Sequence, residues 1–362
     1  LGFLLASYAV AAVAPGFGLA IRDVSFGNAT MAGESMKVSL PAVMLAILLL
    51  NAGLGVKASE LGRLARGPGM LVAGLGANLV LPIVFIFAVA RLMGFWHNPD
   101  EVQNILVGLA LVASMPIAGS STAWSQNADG NLALSLGLVL LSTLLSPLTT
   151  PLGLHSVGLM ATGDYAEDLH ELAAHGTGLF LAVCVIAPSL VGIVVRRLVG
   201  EARIESARPW LKLGNAVNLL LLSYSNAAAA LPQAVSDPDW DFLAVILLIT
   251  ASLSLLTFSS GWGIARALGA DDGQKASLMY GLGMNNNGTG LVLASMTLAD
   301  HPRVMIPIIF YNLVQQVAAG GVGTFLSRWR RPDTEPLDAE VEPVKVISHP
   351  SGRLRLRRWR TG

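Results

Sequence analysis

Gly283-Met284-Asn285-Asn286-Asn287-Gly288-Thr289-Gly290 interrupts an otherwise apolar segment that runs from Ala276 to Leu298. Three consecutive amides and three glycines thus sit inside a run long enough to cross a bilayer, which takes about 20 apolar residues. A polar group left unpaired in hydrocarbon costs several kcal/mol. The stretch is therefore expected to line a protein cavity or to bind something.

The surrounding chain fits that setting. Of its 362 residues, 53% are hydrophobic and only 13% charged. A soluble globular domain carries roughly 25% charge, so an ordinary soluble fold is excluded. Apolar runs recur along the chain and predict an all-α integral membrane protein. Ten spans are expected, at 1–20, 38–56, 69–92, 104–127, 132–153, 176–199, 212–233, 241–267, 276–299 and 303–327. The connections are short. The longest, 154–175, is acidic, with Asp164, Glu167, Asp168 and Glu171. The single cysteine, Cys184, rules out an internal disulfide and a thiolate metal cluster. No cleavable signal peptide is evident.

Basic residues set the expected orientation. Lys57, Arg63 and Arg66 follow span two, and Arg196, Arg197, Arg203, Arg208 and Lys212 separate spans six and seven. Arg266 and Lys275 separate spans eight and nine, and Arg328, Arg330 and Arg331 follow span ten. The tail adds Lys345, Arg353, Arg355, Arg357, Arg358 and Arg360. With ten alternating spans these 19 of the 23 Lys and Arg residues fall on one side, leaving Arg22, Lys37, Arg91 and Arg303 on the other. The positive-inside rule then puts both termini in the cytoplasm, with the protein in the plasma (inner) membrane. Residues 332–362 mix Pro, acids and Arg without periodicity. They read as a disordered cytoplasmic tail, either a simple topology determinant or a contact for anionic lipid.

Ten spans divide into five and five, residues 1–160 and 161–331. An odd number per half forces the halves into opposite orientation, as in the inverted repeats of secondary transporters. The fourth span of each half carries a break. In the first it reads Ala113-Ser114-Met115-Pro116-Ile117-Ala118-Gly119-Ser120-Ser121-Thr122, and in the second it is the Asn-rich stretch. Pro116 removes a backbone donor and clashes with the preceding turn. Half-helix ends carry partial charge, positive at N-termini and negative at C-termini. Two facing breaks would form a site for a cation and an anionic substrate.

These residues resemble the bile acid:sodium symporter family, over nearly all of residues 1–327. The run from Pro116 through Ser121 to Ala133-Leu134-Ser135, then Ser142-Thr143-Leu144 and Pro147, follows the family's pattern. Gly283-Met284-Asn285-Asn286 follows its Gly-Met-Gln-Asn, and Asn51-Ala52-Gly53-Leu54-Gly55-Val56-Lys57 looks like its second-span ending. The resemblance implies panel and core domains built from two inverted five-helix repeats. It also implies two crossed, discontinuous helices (spans four and nine) flanked by two sodium sites. Carried over residue by residue, Ser121 and Ser135 match side-chain ligands of the first site, and Thr122 stands where the family has Asn. Val139 stands where the family has a Thr ligand. The second site would use the main-chain carbonyls of Leu282 and Met284 and the amide of Asn285. Asn78 stands in for a third-span Gln once a one-residue gap is placed before Pro82. Gly281 occupies the place of a Glu that serves both sodium sites in the family.

No Asp or Glu lies in the middle of any span. A sodium site of neutral oxygens lacks a counter-charge in low dielectric, unless an anionic substrate supplies it. A proton relay through a buried carboxylate has no candidate residue. Asn286, Asn287 and Thr289 offer polar groups for substrate beside the ninth-span break, and Asn312, with Gln315 and Gln316, does so in span ten. The groups in span ten, and Asn215, Asn218 and Asn226 in span seven, have interhelical bonding as the competing role.

His170-Glu171-Leu172-Ala173-Ala174-His175 looks like a zinc-protease motif but spaces its histidines five apart, about 140° around a helix. It reads as a solvated loop entering span six, and His97 and His301 as solvated outer-loop residues. A G-x-S-x-G elbow, a P-loop and a potassium-filter motif are absent. An intramembrane enzyme would need a nucleophile–base pair or metal ligands inside the spans, so no enzyme, cofactor, transition metal or nucleic-acid partner is expected, and sodium is the one metal ion expected. The sequence points to a secondary transporter importing a small organic anion by sodium symport. A sodium-independent uniporter or channel on the same scaffold is the alternative.

Overall fold

The structure, a computed structural model, describes residues 2–31, 34–56, 68–175 and 177–329. Lys57, Arg63, Arg66 and the tail from 332 onward lie outside the described residues, so the expectations for them stand untested. Helices occupy most of each of the ten expected stretches, with interruptions in several. The elements are α1 (Gly2–Val13), α2 (Gly16–Asp23), the strands β1 (Ser25–Met31) and β2 (Glu34–Ser39), and α3 (Leu40–Leu54). They continue with α4 (Pro68–Met93), α5 (Pro99–Ser114), α6 (Ser120–Asn127), α7 (Leu132–Gly158) and α8 (Asp164–Ala174). Next come α9 (Thr177–Val199), which contains a π-helical turn at Ala182–Ile186, and α10 (Glu201–Ala227). The last are α11 (Leu231–Ser236), α12 (Trp240–Ala267), α13 (Asp272–Gly283), α14 (Asn287–Thr297) and α15 (Met305–Trp329). Among the described residues, five helices are long and apolar enough to cross a membrane, and α1 with α2 makes a sixth if that bent pair counts as one.

The polar residues between spans fix where helices start. Ser39 accepts from the Ala42 amide at the head of α3, with Pro41 in the first turn. Asn98, Asn131 and Asp239 cap α5, α7 and α12 in the same way. Asp271 and Gln274 form a reciprocal capping box on α13. Each such cap satisfies an amide that the helix itself cannot, a contribution of about 1 kcal/mol.

Several expectations are corrected. The first span is not one rod: α1 and α2 meet at 92°. Pro15 cannot donate an amide to continue α1, and Gly18 lets α2 close on α10, since a Cβ there would lie 2.7 Å from that of Ala228. The connection to span two contains an antiparallel hairpin of β1 on β2, held by backbone pairing that no hydrophobic alternation advertised. The acidic loop 154–175 is largely helical. α7 continues to Gly158, and α8 buries Leu169 and Leu172 beneath its acids. There His301 lies 3.6 Å from Asp168 and stacks on Tyr165 rather than standing free in solvent. Burial raises the Asp168 carboxyl above its usual range, against the pull of His301. In the same way α10 starts at Glu201 rather than 212, running straight through Pro209.

Packing joins α3 to α9 and α10, and α10 to α1 and α2. The α3–α9 crossing depends on two glycines. A Cβ on Gly53 would sit 2.1 Å from the Ser189 carbonyl oxygen, and one on Gly192 would sit 2.2 Å from that of Leu50. Buried Arg196 donates to the Leu54 carbonyl at 2.7 Å and to Glu201 at 3.0 Å, tying the end of α3 to the start of α10. The remaining helices pack around α5, α7, α12 and α13.

Candidate functional site

Both interrupted segments are broken, and the breaks meet. α5 stops at Ser114 and α6 begins at Ser120, while α13 stops at Gly283 and α14 begins at Asn287. Met115 and Met284 are both extended. The two linkers run antiparallel and pair at Ile117 and Asn285. The Ala118 amide donates to the Met284 carbonyl at 2.9 Å, and the Asn286 amide to the Pro116 carbonyl at 2.9 Å. On the outer edge of this bridge the Ile117 amide donates to Ser142 Oγ at 3.1 Å. On the opposite edge Gln315 accepts from the Asn285 amide at 3.2 Å and donates to its carbonyl at 3.3 Å. Asn285 Nδ2 caps the end of α5 through the Val112 carbonyl at 2.9 Å. Thr150 Oγ1 donates to the Ser114 carbonyl at 2.6 Å. Polar backbone freed by unwinding is thereby largely re-satisfied, as a low-dielectric interior requires. Two helix N-termini and two C-termini lie around one short bridge, offering both signs of partial charge.

Several of the predicted ion ligands keep an oxygen in reserve. Ser121 is fully buried, and its Oγ has no partner among the described residues. Ser135 Oγ donates to Thr122 Oγ1 at 3.4 Å, so α6 and α7 bring those two together. Asn78 Oδ1 on α4 and Asn285 Oδ1 are likewise buried without a described partner, and α4 packs on both α7 and α13. Leu282 and Met284 close α13; the Met284 carbonyl already accepts from Ala118 but has a second lone pair. A buried, unpaired oxygen costs about 1–3 kcal/mol, and neutral oxygens of this kind suit a small hard cation.

The substrate candidates divide. Asn287 is 1% exposed with both amide atoms unpartnered among the described residues, and Thr289 Oγ1 is in the same condition. Asn286 instead caps α14, accepting from the Thr289 amide at 3.3 Å. Asn312 donates to the Tyr8 hydroxyl at 2.9 Å and accepts from Gln315 at 3.3 Å.

A profile of the sodium bile acid symporter family matches residues 42–236, more than half of the chain. The chain belongs to that family. Members of the symporter family are transporters, not enzymes, and this one is an integral membrane protein. Among similar proteins, the uncharacterized sodium-dependent transporter YocS of Bacillus subtilis is 24% identical over 79% of this chain and 82% of its own length. The uncharacterized protein YbaS of the same organism is 27% identical over 69% and 78%. A probable sodium/metabolite cotransporter of rice chloroplasts, BASS2, is 23% identical over 82% and 65%.

The resemblance implies an acid at the place of Gly281. A Cβ on Gly281 would lie 2.8 Å from Leu138 Cδ1, and the same side chain lies 2.8 Å from a Cβ on Gly74. Leu138 therefore fills the room beside Gly281. It does so within an apolar cluster that includes Leu71, Ile117, Leu134, Leu278 and Leu282, with Val139 against its edge. Apolar surface thus stands beside the place where the resemblance calls for an acid. Sequence reasoning gave no role to Ser142 or Tyr8. Ser142 and Gln315 clamp the breaks, and Tyr8 anchors Asn312. Asn226, for which interhelical bonding competes with a substrate role, is fully buried with both amide atoms unpartnered among the described residues. Gln315 and Asn226 carry a signal in the sequence, each as an amide inside an apolar run.

Proposed function

We propose that this protein is a secondary active transporter that imports a small organic anion by sodium symport, using alternating access. In this reading the ten spans form two inverted five-helix repeats, residues 1–160 and 161–331, arranged as panel and core. Both termini face the cytoplasm at the plasma membrane. The observation that carries the reading is the antiparallel bridge at Ile117 and Asn285, where four half-helix ends surround buried oxygens that lack partners. The names of the relatives, a sodium-dependent transporter and a sodium/metabolite cotransporter, support sodium as the coupling ion. Sodium would be held by the oxygens of Ser121, Thr122, Ser135, Asn78 and Asn285 with the carbonyls of Leu282 and Met284. The anion would lie at the N-terminus of α14 near Asn287 and Thr289, with Asn286 and Asn312 holding that end in shape. A bound anion would also supply counter-charge to the ion.

A second reading, sodium-independent uniport, is favoured by the Leu138 side chain beside Gly281 and by Val139. Proteoliposome uptake of cholate and of small hydroxycarboxylates, with external sodium or choline, separates the two. An inward sodium gradient should concentrate at least one compound, and Ser121→Ala should remove the sodium dependence. Equal uptake in sodium and choline would leave uniport standing instead.

A further inference from the structure

Two imidazoles from different helices meet where α7 gives way to α8. His155 lies in the last turn of α7 and His170 lies within α8. Their Nδ1 atoms are 3.1 Å apart, with ring centroids 4.8 Å apart and planes tilted by 54°. The sequence offers His170 a different partner, His175, but His175 has left the helix in extended backbone. The residue that meets His170 comes from the preceding span.

The pair is held by packed structure. The His170 ring lies on the bare Cα of Gly158, where a Cβ would come within 2.9 Å of Cε1 and 3.1 Å of Nδ1. Leu169 and Leu172 anchor α8 in the core, and α8 packs along α7. Both rings are nevertheless within reach of solvent, His155 exposed and His170 half-buried. Around His170, α8 carries Asp164, Glu167, Asp168 and Glu171 and no Lys or Arg, a local field that favours a cation.

Two neutral imidazoles at this spacing share one proton in a hydrogen bond. They also match an edge of a metal coordination sphere. With metal–nitrogen bonds of about 2.0–2.1 Å, two ligand nitrogens lie about 2.9 Å apart at a right angle and about 3.4 Å apart at a tetrahedral one. The observed spacing falls between these. Imidazole nitrogen selects borderline ions such as zinc, copper and nickel over calcium or magnesium. We propose that His155 and His170 bind one divalent transition-metal ion, with water completing its coordination, and that the ion fastens the end of α7 to α8.

The test uses full-length, untagged protein in detergent, titrated calorimetrically with Zn²⁺, Cu²⁺, Ni²⁺, Ca²⁺ and Mg²⁺. One ion should bind per chain, copper more tightly than nickel, with no heat from calcium or magnesium. His155→Ala and His170→Ala should each weaken zinc binding by about tenfold or more, while His175→Ala binds as the parent does. Thermal unfolding should show zinc stabilising the parent and His175→Ala but neither of the other two. The proposal is overturned if zinc does not bind, if either histidine of the pair can be removed without effect, or if His175→Ala is the variant that loses the ion. None of these outcomes depends on transport, so the test stands apart from the proposed function.

Discussion

At the first break the Ile117 amide meets a single hydroxyl, that of Ser142 on α7; at the second, the Asn285 amide and carbonyl both meet the carboxamide of Gln315 on α15. The two linkers share one backbone bridge and occupy corresponding places along it, yet their chemistry is divided unevenly. The first is opened by Pro116, which has no amide to donate to the preceding turn and needs no partner at its nitrogen. The second has no proline, so its amides must be drawn out of the helix by competing partners, and Asn285 is held on both faces of its backbone. Its side chain then reaches across to cap α5. Beyond the shared backbone bridge, the second break sends a side chain to the first and receives none in return. Sequence changes are expected to be felt more strongly at Asn285 than at any residue of the Pro116 linker.

The largest expected effect follows from that asymmetry. Asn285→Ala removes the cap on the Val112 carbonyl and one unpaired oxygen together, and should lower uptake about a hundredfold while leaving folded protein in the membrane. Ile117→Ala should cost far less uptake. Proteoliposome assays of the two side by side would break the comparison if their losses were alike.

An intermediate effect tests the clamps. Gln315→Leu strands a donor and two acceptors, Ser142→Ala a donor only, each orphaned group costing about 1–3 kcal/mol. Thermal unfolding in detergent should therefore place Gln315→Leu below Ser142→Ala. The reverse order would mean that the proline break, not the amide break, depends on its clamp.

The smallest effect concerns the missing acid. Gly281→Glu alone should do little for sodium affinity, because Leu138 Cδ1 stands 2.8 Å from the new Cβ. Combined with Leu138→Ala, it should raise sodium affinity by about three- to tenfold, since a nearby opposite charge favours the ion. If the pair of changes leaves the sodium dependence of ligand-induced stabilisation where it was, the counter-charge argument fails.

Much of this was legible in the residues. Pro116 with Gly119, and the run Gly283 to Gly290, mark breaks because their backbone preferences and amides conflict with an apolar helix. Structure that depends on distant partners was not legible. Nothing local in Ser142 distinguishes a serine that accepts from a linker amide from one bonding its own preceding turn, and its hydroxyl does both. Leu138 reads as ordinary span filler until Gly281 is placed beside it. The elbow at Pro15 was hidden because α1 and α2 are both apolar, and hydropathy carries no direction. The sequence of α8 reads as a loop because its four acids outweigh the spacing of Leu169 and Leu172.

The bridge also imposes an order on biosynthesis. Val112 and the side chain that caps it are 173 residues apart in the chain. At about 5–20 residues per second, the ribosome needs roughly ten to thirty seconds to make that interval. Throughout it the Val112 and Pro116 carbonyls and the Ala118 amide must find other partners, whether water, lipid headgroups or the insertion machinery. The first half of this protein is therefore made with its centre unfinished, and only translation of the second half can complete it.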